Sequence, residues 1–192
     1  MLCLIAKDTI MKKLLSFCSL LVVLSVSVSA REPMYGSVSA DFDVKATVDS
    51  FVGKTASEPF VVGPADEKVT VTFEVAKMET GKKKRDKEMM HMFHADEFPI
   101  ITGTASAASV LALEPSAEPV EFPLEVVMHG ITKQVTAQAS NVNKSGDGLT
   151  FDLAFPLILS EYDLKAPSIM MMIRVNDKVN VTSRVTLSTT AP

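Results

Sequence analysis

The side chains best suited to chemistry lie close together. His91 and His94 are three residues apart, Asp96 and Glu97 follow, and the third histidine is His129. Two imidazoles on one helical face can bind a zinc ion when a third or fourth ligand arrives from elsewhere in the fold. His129 or Asp96 would complete such a site, and the chemistry would be metal-assisted hydrolysis. The pattern supports it weakly, because Met89, Met90 and Met92 make the same segment amphipathic with polar flanks. A structural or surface role is the expected one, with no metal and no cofactor.

Other catalytic signatures are missing. There is no Gly-x-Ser-x-Gly elbow, no Ser-x-x-Lys motif and no glycine-rich phosphate loop. Serines and aspartates fall mostly on the polar faces of strand-like runs, so a nucleophilic triad, which is defined by geometry, has no positive support. We expect no enzyme. Lys82, Lys83, Lys84, Arg85 and Lys87 form the densest charge run. Such a run is ordinarily a solvated loop, and in an acidic chain it allows at most transient contact with a membrane surface.

The methionines say more. Met89, Met90 and Met92 form one cluster, Met170, Met171 and Met172 a second. Methionine is flexible and polarizable and suits irregular or adaptable apolar surfaces. Singly, each is best read as core filling; as two clusters, they favour a malleable pocket lining.

The elements that must position these residues are strands. Val38, Ala40, Phe42, Val44, Ala46 and Val48 alternate with polar residues, and so do Val69, Val71, Phe73 and Val75. Further rows are Val120, Phe122, Leu124, Val126 and Met128; Leu149, Phe151, Leu153, Phe155 and Leu157; and Val179, Val181, Val185 and Leu187. Alternation of period two marks strands with one buried face. Weaker strands are expected at 51–62, 100–112, 132–142 and 169–175, giving eight or nine. Turns fall at Gly63-Pro64, Glu114-Pro115, Gly130, Gly146-Asp147-Gly148 and Asn176-Asp177. Only 85–95 reads as helix. One helix cannot supply the crossovers a parallel sheet needs, so the class is an all-β antiparallel sandwich or barrel.

The first thirty residues read differently. Lys12 and Lys13 behind Met11 precede an apolar stretch from Leu14 to Val28 that ends in Val28-Ser29-Ala30. That is the layout of a signal peptide, with Met11 as the true start. About fifteen apolar residues fall short of the roughly 20 that span a bilayer. Cleavage after Ala30 would remove Cys3 and Cys18, so that a single domain, 31–192, would rely on its core rather than on disulfides. Three lysines and one aspartate would leave too, taking the net charge from −4 to −6. An acidic chain without tryptophan is a poor nucleic-acid binder.

Four segments in order resemble the YceI-like family. Asp86 to Thr102 is similar to its helix-then-strand signature, in which a Met- or His-bearing helix runs into an aromatic-Pro-x-Ile segment. Leu124 to Lys133 is similar to its strand ending in a His-Gly-x-Thr-Lys turn. Phe42 to Gly53 resembles its opening strand, and Leu157 to Val181, with Tyr-Asp-Leu-Lys-x-Pro, its last third. Gly103 departs from the pattern, standing where an aromatic is usual, and Arg85-Asp86-Lys87-Glu88-Met89 replaces the commoner Arg-Asp-x-His-Leu. The resemblance implies a closed antiparallel eight-stranded lipocalin-like barrel with one short helix. It implies a periplasmic or secreted, soluble carrier or sensor for a polyisoprenoid, quinone-like or fatty-acyl molecule. A barrel of eight strands is just wide enough to fill with side chains or to admit one slender ligand. The ligand-binding residues would then be Phe42, Val44, Phe73, Val75, Met90, Phe93, Leu124, Val126, Met128, Phe151, Leu153, Phe155, Met171 and Ile173. A filled barrel acting as a ligand-free interaction module is the remaining alternative. The oligomeric state stays open, a homodimer included.

Overall fold

Strand β1 (Met34–Ala46) shows why the chain folds as it does. Val38, Ala40, Phe42 and Val44 are buried, while Ser39 and Asp41 between them and Lys45 after them are exposed. The computed structural model describes residues 32–47, 49–146, 148–165, 168–169 and 173–191, with only the backbone of 168, 169, 173 and 174. The expected signal segment, Val48, Asp147 and Met170 to Met172 therefore lie outside the described residues.

Nine further strands follow: β2 (Phe51–Ala56), β3 (Phe60–Val62), β4 (Lys68–Glu74), β5 (Ile100–Ser106), β6 (Val120–Met128), β7 (Ile131–Ser145), β8 (Gly148–Ile158), β9 (Ser168–Ile169) and β10 (Ile173–Ser188). They form an antiparallel sheet in the order β2-β1-β10-β8-β7-β6-β5-β4, with β3 also on β1 and β9 on β10. The sheet curls strongly, which brings the inward rows of β1, β6, β8 and β10 into one core. No continuous ladder joins its two ends among the described residues. They approach through the Lys54–Glu79 bridge and a hydrogen bond from Glu58 N–H to the Thr72 carbonyl, 2.9 Å.

Where the strands differ from the sequence reading, the cause is local. The run 51–62 is two strands because Pro59 has no N–H to give and the Ser57 hydroxyl accepts from Val38 N–H at 2.9 Å, turning the chain away. The run 100–112 ends as strand at Ser106, whose hydroxyl accepts from Ser109 N–H and caps helix α2 (Ala107–Leu111). With α1 (Lys83–Met92) and the 3-10 turns Val75–Lys77 and Leu159–Tyr162, there is more helix than the single element expected. The turn expected at Asn176-Asp177 is a bulge inside β10. Pairing steps from Val44↔Val179 to Ala46↔Val175, and the Asp177 carboxylate accepts from Ser160 N–H and Oγ–H. A bulge of this kind bends a strand without ending it.

The β6–β7 hairpin closes through His129 and Gly130, with φ of 51° and 73°. Positive φ at both central positions is what a two-residue turn between twisted strands requires. Gly53 answers a different need. It faces Phe42 across β1 and β2, and a Cβ at Gly53 would stand 2.0 Å from the Phe42 ring. The missing side chain is what lets that ring lie flat on the sheet.

Candidate binding cavity

Inside the curl lies a cavity of about 470 Å³, within the range of about 300–1,000 Å³ usual for small-molecule sites. Its wall is built from the inward rows. β1 gives Phe42 and Val44, β4 gives Phe73, β6 gives Leu124, Val126 and Met128, and β8 gives Phe151, Leu153 and Phe155. Phe93, just past the end of α1, covers one side. These ten were expected on a channel wall. Phe151 and Phe122 pack with ring centroids 6.2 Å apart.

Two expected residues lie elsewhere. Val75 is fully buried in the core off the cavity wall, because its N–H bonds the Pro99 carbonyl (2.9 Å) and the chain leaves the sheet in a 3-10 turn. Met90 is exposed on the outer side of α1; Met89 and Met92, three residues apart on another face of the helix, line the cavity instead. Met171 lies outside the described residues, and Ile173 is described by its backbone alone.

The wall also carries polar residues that alternation does not reveal. Thr55, Ala40 and Ser183 form one row across β2, β1 and β10, and all three face the cavity. The Thr55 hydroxyl is buried with no hydrogen-bond partner. Lys82 at the N-cap of α1, Lys84, Arg85 and Glu88 within it, and Asp49 from the β1–β2 loop ring one end. That corrects the reading of the charge run as a plain solvated loop. The curl of the sheet brings Phe51 beneath the helix, and the Arg85 guanidinium carbon sits 3.8 Å from its ring centroid. Lys82 Nζ is 2.9 Å from Asp49 Oδ2 and Arg85 is 3.9 Å from the same carboxylate. The hydrogen bond from Lys82, then its charge, holds the Asp49 carboxyl below its ordinary value.

The histidines are apart from this cavity. His91 and His94 line a shallow surface depression with Asp96 and Glu97. His129 lies edge-on to His94 at 5.2 Å between centroids and to Phe98 at 4.5 Å. Its Nδ1 is 2.9 Å from the Tyr162 carbonyl oxygen. Among the described residues, no three His, Cys, Asp or Glu side chains gather as a metal site needs. Burial, then the charge of Glu161, pushes the Tyr162 phenol up to about 12, so it stays protonated at neutral pH. The arrangement gives a packed polar cluster, and the chemistry the cavity offers is apolar contact with charge at one end.

Two solved structures share the fold. One is a polyisoprenoid binding domain from Saccharophagus degradans implicated in plant cell wall breakdown, with TM-score 0.65 and 15% identity, covering 82% of this chain and 98% of that one. The other is Burkholderia cenocepacia BcnA, with TM-score 0.59 and 19% identity, covering 79% and 95%. No curated protein matches the chain. The model of the YceI-like domain matches residues 24–187. With that match over nearly the whole described body, and the curled sheet beneath it, the chain belongs to the YceI-like domain family.

Proposed function

We propose that this protein is an exported carrier or sensor that holds one long apolar molecule, a polyisoprenoid, quinone-like or fatty-acyl chain, within the curl of its sheet. The observation that carries the reading is the wall itself: residues from β1, β4, β6, β8 and β10 face a space of about 470 Å³ and nearly all are apolar. Buried apolar contact is worth about 25 cal/mol per Å², so a slender chain needs no covalent or metal anchor to stay. The name of the Saccharophagus degradans relative fits the same class of ligand. The layout of Met11 to Ala30, two lysines, an apolar stretch and Val28-Ser29-Ala30, supports export.

Organic extraction of protein purified from the cells that make it, followed by mass spectrometry, tests this reading. The extract is expected to contain a long-chain molecule in near-stoichiometric amount, and the intact protein to begin at Arg31. A folded protein whose extract contains no such molecule would count against the carrier.

A further inference from the structure

Apolar chains need no charge to bind, yet one end of this cavity is ringed by it. Three cations, Lys82, Lys84 and Arg85, meet two carboxylates, Asp49 and Glu88. The cations are not all spent. Lys82 is engaged by Asp49 at 2.9 Å, but Lys84 has no ion-pair partner among the described residues. The Arg85 side chain is only 20% exposed, its contact to Asp49 is 3.9 Å, and its Nε is buried with no hydrogen-bond partner. A guanidinium carries five N–H donors in a rigid fork, and leaving one desolvated and unbonded is costly. Phe51 holds that fork in place from below. The first turn of α1, which has no side-chain cap, adds partial positive charge at the same point.

We propose that the ligand is a single-chain amphiphile with an anionic head, a carboxylate or a phosphate monoester, whose head is held by Lys84 and Arg85 while its tail runs into the cavity past Phe51. This rests on the carrier reading and adds the headgroup. The neighbouring Asp49 competes for the same cations. An arriving anion displaces part of the Lys82–Asp49–Arg85 network, and the tail supplies the apolar contact beneath it. Glu88 faces the same end and opposes an anion, so the site takes one compact head rather than an extended polyanion.

Dodecanol, dodecanoate and dodecyl phosphate, titrated into the full protein at low and high salt, separate the two levels. The anionic probes are expected to bind about tenfold tighter than dodecanol at low salt, as charge-assisted hydrogen bonds allow. Salt should erode that advantage. Lys84→Gln should lower the anion-to-alcohol ratio about fivefold, and Asp49→Asn should raise it by freeing Lys82 and Arg85. A preference for either anion sustains the proposal and names the head. Equal affinity for all three probes, indifferent to salt and to both substitutions, overturns the headgroup assignment while leaving the apolar-chain reading intact. Binding of none of them overturns the carrier reading beneath it.

Discussion

Ala40→Phe is expected to fold normally and to lose most of its affinity for long apolar chains. Ala40 lies on β1 between Thr55 and Ser183, in a row that crosses the cavity wall. Thr55 is four residues along β2 from Phe51, about 13 Å at about 3.3 Å per residue, so the row is well below the charged end. A phenyl ring there fills the channel and denies the ligand about four methylenes, at about 0.8 kcal/mol each, or roughly two-hundredfold in affinity. The same ring fills empty space, so thermal stability should hold or rise. Titration beside a thermal melt reads both. Unchanged affinity would show that the chain does not pass Ala40.

Leu153→Asp should have the largest effect on stability. Leu153 is buried on β8, opposite Ser183 of β10 and Ala139 of β7. A carboxylate there meets one hydroxyl and otherwise apolar walls. An uncompensated buried charge costs about 3–5 kcal/mol, a large share of the 5–15 kcal/mol typical of folded domains. Desolvation raises the folded-state pKa of the new carboxyl, so the folded protein holds the proton more tightly than the unfolded chain. The loss should then be greatest at neutral pH and shrink as pH falls toward the ordinary aspartate value of about 3.9. Urea melts at pH 7 and pH 4 measure it, and an unshifted midpoint at pH 7 would place Leu153 on the outer face.

Strands were legible wherever one face is buried and the other wet. The rows through Phe42, Leu124 and Phe151 alternate cleanly and occupy the wall as expected. Alternation fails where it outlasts the strand. Val75 continues the pattern of β4 by one residue, yet the bond to Pro99 has already taken the chain out of the sheet. It also cannot place residues that follow no period. Lys82 to Arg85 are four consecutive cations, and it is the curl that seats Phe51 under Arg85 that turns Lys82, Lys84 and Arg85 toward the cavity. Asn176-Asp177 has turn chemistry, but long-range bonding to Ser160 converts it into a bulge.

The central claim is that apolar burial in this cavity holds the ligand, and the dependence of affinity on chain length tests it most directly. A series of straight-chain alcohols should bind with affinity rising about fourfold for each added methylene, corresponding to about 0.8 kcal/mol apiece, until the cavity is full and the slope flattens. Affinity that does not change with chain length, or binding that saturates the protein without any length at all, would contradict the account.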